Sequence, residues 1–381
     1  MRVHLDHNAT TPIRPEALEV LCELSRRLAG NPSSVHAAGR EARGWLDEAR
    51  ERTAAALGCH EDEVVFTSGG TESIQLALAG AVRAGGPGRG LVTCAVEHSA
   101  VLAAADRLER EGRPVVRLPV DGTGRVSVDA LEAALTPATA LVSIQTANNE
   151  LGTLQPVVEI GELLARRGRG RPAFHTDAVQ ALGRIPLRAI RERADLLSFS
   201  AHKVGGPTGV GVLVRRTGLT LEPLLGTGSQ EGGLRPGTES VAAIAAAAVA
   251  IELAVREQGD YAARSARLCR SLWEQLTACI PGVLLNGPDL DAPRLPNTLN
   301  VSLPGVEGRT LVARLDLEGL EASAGSACAS GSLEPSHVLL ALGHASERAR
   351  AALRLSFGRM GGEEDVHNTV EILRRTISAP R

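Results

Sequence analysis

Aromatic side chains are nearly missing from this 381-residue sequence, where Phe, Tyr and Trp together make up 2%. Few rings means few platforms on which nucleobases could stack. Charge of one sign is missing as well: the formal net charge is −3, and the basic residues are scattered along the chain rather than gathered in a stripe. No electrostatic footprint for nucleic acid results. No apolar run reaches the ~20 residues that cross a bilayer. The longest, "VAAIAAAAVAIELAV" from Val241 to Val255, is alanine-rich and interrupted by Glu252, so it reads as a buried helix. The opening "MRVHLDHNATTP" has no signal-peptide core and no targeting or lipidation motif is found, which makes a cytoplasmic location the expectation. Six cysteines, at positions 22, 59, 94, 269, 279 and 328, form no C-x-x-C pair and no cysteine–histidine spacing that suits zinc. Neither a disulfide framework nor a metal site is expected.

What is present is ordinary for a globular chain: 43% hydrophobic and 22% charged residues, with a length that suits about two domains at roughly 100–200 residues each. From about residue 62 short β-branched runs alternate with longer stretches of helical spacing. "EVVFTS", "GLVTCAVEH", "PVVRLPV", "TALVSIQTANNE", "PAFHTDAV", "ADLLSFSAHK" and "GVGVLVRR" read as strands of one seven-stranded, mainly parallel sheet with helices on both faces. The expected fold is therefore α/β, with a large domain over 15–255. A smaller α+β domain is expected from 1–14 and 256–381, which contain the long helical stretch "DYAARSARLCRSLWEQLTACI" and proline-punctuated segments.

Ligands of open α/β sheets sit beyond the carboxyl ends of the strands, so the polar residues following each run form a set. "TSGGTES" offers Gly70 and Thr71 where a glycine turn enters a helix, a seat for an anion and equally a plain helix cap. "AVEHSA" places His98 after a strand and "TANNELG" places Asn149. "FHTDAVQ" gives Asp177 and Gln180, and "SFSAHKVGGPTG" gives Ser200, His202 and Lys203. Each alone has a structural explanation, a capped turn or a hydrogen-bonded core residue. Together they are chemically coherent. A lysine amine forms Schiff bases, an aspartate pairs with a pyridinium nitrogen, a small-residue turn holds phosphate and an imidazole stacks on a ring, which specifies pyridoxal phosphate.

These strings resemble those of the cysteine desulfurases, the NifS-like group of fold-type I pyridoxal phosphate enzymes. The likeness extends over nearly the whole chain through "LDHNATTP", "GNPSSVHAAGR", "NNELG", "HTDAVQALG", "SFSAHKVGGPTGVGVL", "RPGTES", "SAGSACASGSLEPSHVLLALG" and "LRLSFGR". The resemblance implies that Lys203 carries the cofactor and later moves the substrate α-proton, that Asp177 pairs with the ring nitrogen, and that His98 stacks on the ring. It also implies that Gln180 and Asn149 contact ring substituents, and that Gly70, Thr71, Ser200 and His202 hold the phosphate. Thr238 of "RPGT" would reach the phosphate of a second subunit, which implies a homodimer. Arg354, with Asn31 and Asn149, would hold the substrate carboxylate.

Cys328 lies in "GSACASGSLEPSH" among residues with almost no side chain to hold it still, in a loop expected over about 322–335. By the same resemblance its thiolate takes sulfur from L-cysteine as a persulfide, leaving L-alanine, and passes it to an acceptor protein in iron–sulfur cluster assembly or a thiolation pathway. Selenocysteine lyase activity, another fold-type I lyase or aminotransferase, and a non-catalytic sulfur-relay scaffold are the alternatives. A thiol in this position favours sulfur abstraction, because transamination has no use for one.

Overall fold

Runs of Val, Leu and Phe bounded by polar turns become strands because extended backbone lets branched side chains project to both faces of a sheet. In the computed structural model, which describes residues 2–226, 228–303, 305–325 and 334–378, the first strand is β1 (Val3–His4). The seven runs named above follow as β2 (Val64–Thr67), β3 (Gly90–Cys94), β4 (Val115–Leu118), β5 (Thr139–Ser143), β6 (Ala173–Asp177), β7 (Leu196–Ser200) and β8 (Gly211–Arg215). They form one sheet in the order β2-β8-β7-β6-β5-β3-β4, parallel except for β8, which is antiparallel to both neighbours. The mainly parallel seven-stranded sheet is as the sequence implies. Since β2 and β7 both run against β8, the carboxyl ends of β2, β3, β5, β6 and β7 meet at one edge.

Both faces are covered. Val92, Val142, Leu197 and Val214 bury in one apolar cluster with helices Ala37–Leu57, Val157–Arg166 and Val241–Arg256. Their neighbours Leu91, Leu141, Leu196 and Leu213 bury in another with helices Gly70–Ala84 and Ser99–Arg110. That alternation is the period of two of a strand covered on both sides. Helix Val241–Arg256 is mostly buried, as its composition suggests, and its alanines let helix Pro15–Arg27 approach until Ala17, Ala246 and Ala250 meet.

Among the described residues four short strands follow: β9 (Leu284–Leu285), β10 (Thr298–Ser302), β11 (Leu320–Glu321) and β12 (Ala352–Ser356). β12-β10-β9 form an antiparallel sheet, and β1 pairs in parallel with β11. Val3 and Leu5 bury with Leu299, Val301, Leu353 and Leu355 in a third cluster. The N-terminal segment therefore starts in the C-terminal sheet and then crosses to the large one, where the Thr11 amide donates to the His202 carbonyl at 3.1 Å and the Arg14 amide to the Gly205 carbonyl at 2.8 Å.

At the start of β8 the Gly211 backbone lies against the turn that follows β2, and a Cβ there would overlap the Gly69 backbone. Overpacking of this kind costs typically ~1–3 kcal/mol. Gly211→Ala is expected to lower stability by that amount, seen as a lower thermal midpoint, and, because the displaced atoms belong to the Gly69–Gly70 turn, to weaken phosphate-ligand binding as well. Thermal melts with and without ligand check both, and an unshifted ligand affinity would contradict the link.

Candidate active site

Five of the polar turns converge at the shared strand ends. After β2 the chain turns through Ser68 and Gly69 into helix Gly70–Ala84. A Cβ on Gly70 would stand 3.0 Å from Val179 Cγ2 and 3.4 Å from Ser200 Cβ, so this helix start sits hard against the ends of β6 and β7. Glu72 reaches back, accepting from the Ser68 amide at 2.7 Å and from Arg235 Nε at 3.0 Å, which ties the "RPGTES" loop to the turn. Thr71 is exposed at the mouth, whereas Ser200 is buried.

His98 caps helix Ser99–Arg110: its Nδ1 accepts from the Ala100 amide at 3.2 Å, so a neutral ring carries its proton on Nε2. Asp177 is buried at the end of β6 and its Oδ1 accepts from the Val179 amide at 2.9 Å. Burial raises its pKa, against the pull of His98 and Lys203. Lys203 Nζ donates to the carbonyls of Asn8 at 2.7 Å and Ala9 at 2.6 Å. Gln180 Nε2 donates to the same Asn8 carbonyl at 3.1 Å. His202 has its pKa lowered to about 4 by burial, then by the Lys203 and Arg184 charges, so it is a neutral hydrogen-bonding group, with Nδ1 3.0 Å from Thr10 Oγ1.

Arg354 is almost fully buried on β12. It donates through Nη2 to Asp6 Oδ1 at 2.6 Å and through Nη1 to the Asn149 carbonyl at 3.3 Å, leaving its buried Nε without a partner. Ser323 donates to the other oxygen of Asp6 at 2.9 Å, so the segment leading to the cysteine loop is tied to this arginine. Asn31 is exposed and its side-chain oxygen accepts from the Ser33 amide at 2.9 Å, which gives it a turn-forming role. Thr238 is exposed on its own loop. Cys328 lies outside the described residues. A cavity of about 710 Å³ is lined by residues 10–14 and meets this group at Thr10, Arg184 and Lys203; Thr71, His98, Asp177 and Ser200 do not line it, so it is not the seat of a ring and phosphate.

Several residues emerge only here. Asn8 joins Lys203 to the C-terminal sheet, Asp6 pairs with Arg354, and Arg184 holds Gln180. Glu97, beside His98, is fully buried, with Oε1 accepting from the Gln145 amide at 2.8 Å and from the Cys94 thiol at 3.2 Å, and Oε2 unpartnered. One further signal is a count. Of 41 Lys and Arg residues, Lys203 is the sole lysine. Arginine matches lysine in charge but cannot lose its proton to act as a nucleophilic amine, so a single lysine at this point fits chemistry at the amine.

The class-V aminotransferase family model matches residues 3–369. A cysteine desulfurase IscS of Dictyoglomus turgidum is 44% identical over 380 residues, covering 100% of this chain and 95% of the relative. The chain belongs to the cysteine desulfurase family. A solved NifS-like protein superposes with a TM-score of 0.92 at 37% identity, over 99% of this chain and 100% of the other. A structure described as SspA in complex with cysteine gives 0.79 at 32% identity, over 93% and 98%.

Enzymes of this family depend on pyridoxal phosphate, and the residues present fit it. Asp177 forms no salt bridge among the described residues although it is a buried carboxylate, and a pyridinium N–H is the partner such a group lacks. The phosphate is matched by the amide end of helix Gly70–Ala84. Two buried carboxyls so close cannot both ionise cheaply: burial, with Asp177's charge adding to it, raises the Glu97 pKa to about 8. The unfolded chain releases that proton near the ordinary carboxylate value and the folded chain keeps it up to about pH 8, so its stability contribution falls as pH rises through that window. Glu97→Gln keeps the shape and removes the titration. Thermal melts between pH 5 and 8 are expected to show the parent losing stability relative to the variant, by on the order of 3 kcal/mol at ~1.4 kcal/mol per unit. Parallel curves would mean that Glu97 is already ionised in the fold.

Proposed function

We infer that the protein is a pyridoxal phosphate-dependent cysteine desulfurase, converting L-cysteine to L-alanine while Cys328 becomes a persulfide. The observation that carries this reading is the sole lysine, Lys203, at the end of β7 in the same strand-end group as buried Asp177. Bound there, the cofactor supplies an electron sink that acidifies the substrate Cα–H and weakens its C–S bond. Asp177 keeps a proton on the ring nitrogen. Lys203 would hold the cofactor through its amine and would accept the substrate α-proton and return it. His98, with Nδ1 engaged by the Ala100 amide and its proton on Nε2, would stack on the ring. Arg354, held by Asp6 through Nη2, would take the substrate carboxylate.

The thiolate of Cys328 takes the substrate sulfur. One S–S bond forms as the C–S bond breaks, the electron pair of that bond stays with the carbon skeleton, and a proton completes alanine. Cys328 follows Gly325, the last described residue before it, by three positions in the sequence. Gly325 itself adjoins Glu150, whose Oε2 would stand 3.3 Å from a Cβ there. The persulfide then passes to an acceptor protein, in iron–sulfur cluster assembly or thiolation.

The proposal includes a cytoplasmic homodimer in which Thr238 serves the partner's phosphate site; among the described residues no helix is long and apolar enough to cross a membrane. It also includes a large domain of 15–255 and a small one of 1–14 and 256–381. The burial of Val3 and Leu5 with Leu299 and Leu353 supports that division, although Val338 and Leu339 bury against the large sheet.

Cys328→Ala tests the function. Alanine production from cysteine is expected to fall by at least ~10²-fold, with the visible cofactor band unchanged, because the nucleophile and not the electron sink is removed. Unaltered turnover would favour a lyase or aminotransferase that needs no thiol. Arg354→Gln should act chiefly on KM, raising it ~10-fold or more through loss of a charge-assisted contact.

A further inference from the structure

Arg184 follows the turn after β6 and is 3% exposed, yet no carboxylate pairs with it among the described residues. Its acceptors are all neutral: Nη1 donates to the Gln180 backbone carbonyl at 3.2 Å and to Gln180 Oε1, Nη2 to the His7 carbonyl at 3.4 Å, and the guanidinium also meets the hydroxyl of Tyr261, a phenol that burial keeps protonated. A buried charge without a counter-charge is expensive to keep and needs a purpose.

We propose that Arg184 is a positioning residue that fixes which atom of the Gln180 amide faces the cofactor. A guanidinium has donors and no acceptor, so the amide atom turned towards it is the oxygen. The amide nitrogen must then point the other way, where Nε2 donates to the Asn8 carbonyl at 3.1 Å. Lys203 Nζ donates to that same oxygen at 2.7 Å, so the Gln180 N–H and the lysine amine meet at one point.

The proposal rests on Lys203 being the attachment point. In any pyridoxal joined to an amine, the phenolic oxygen lies beside the amine nitrogen and the two share a proton. A Gln180 N–H next to Lys203 donates to that phenolic oxygen, favours its anion and makes the shared proton easier to lose. A flipped amide would present its oxygen and do the reverse. Arg184 therefore acts on the cofactor through Gln180 without touching it.

The test is a pH titration of the visible absorption band of the holoenzyme. R184M is expected to raise the titration midpoint by about one unit, a tenfold change in proton affinity. Q180L should raise it similarly, and R184M/Q180L no further than Q180L alone, because the arginine has nothing left to orient. R184K keeps the charge and a donor and is expected to titrate with the parent. An unchanged R184M midpoint, an R184K midpoint shifted as far as R184M, or an R184M shift that adds in full to Q180L would each overturn the proposal. Where R184M does not fold, Q180L shifted upward with R184K unshifted supports it, and an unshifted Q180L refutes it. A parent with no visible band refutes the cofactor assignment itself.

Discussion

Asn8 is the point through which the rest of the site is held. Its backbone carbonyl accepts from Lys203 and Gln180 of the large sheet. Its amide nitrogen donates to the Asn149 carbonyl at 3.0 Å and to Thr298 Oγ1 at 2.9 Å, its side-chain oxygen accepts from Asn297, and its backbone N–H donates to Ser356 Oγ. The residue is 1% exposed, so water cannot replace a lost partner. A net ~0.5–1.5 kcal/mol per bond understates its weight, since each group left unpaired in the interior costs ~1–3 kcal/mol. One asparagine in the N-terminal segment thereby fixes Lys203 and Gln180 relative to β10 and β12, and β12 carries Arg354. The distance between the amine and the carboxylate-binding arginine is set by this junction.

Electrostatics divide the surrounding groups by role. Glu97 and Asp177 are both buried carboxyls whose pKa burial raises: Glu97, bonded to an amide and a thiol, to about 8, while for Asp177 the rise is opposed by His98, the Val179 amide and Lys203. Burial disfavours the charge of Arg184, and Arg354 lies close enough to disfavour it further. Asp6 relieves Arg354, whereas no carboxylate pairs with Arg184 among the described residues, only neutral acceptors. Positive potential is thus concentrated where an amine must lose a proton and an amino acid's carboxylate must bind.

The strands were legible in the sequence because a sheet buried on both faces demands continuous Val, Leu and Phe runs, and "LVTC", "ALVS" and "LLSFS" are such runs. The strand-end residues were legible because parallel topology brings them to one edge whatever the details. Asn8, Asp6 and Arg184 were not. Their partners Lys203, Arg354 and His7 are far away in the chain, and Asn-Ala-Thr-Thr reads locally as a turn. Asn31, expected at the carboxylate, is occupied with its own turn. The solitary lysine required no coordinates at all, only a count of which basic residue had been kept.

That count also supplies the most direct measurement. Borohydride reduction of the holoenzyme followed by intact mass and peptide mapping is expected to find one reduced cofactor per chain, on the peptide containing Lys203, and none on Lys203→Arg, whose chain has no side-chain amine. A cofactor fixed to the variant, or to any other site in the parent, would contradict the account.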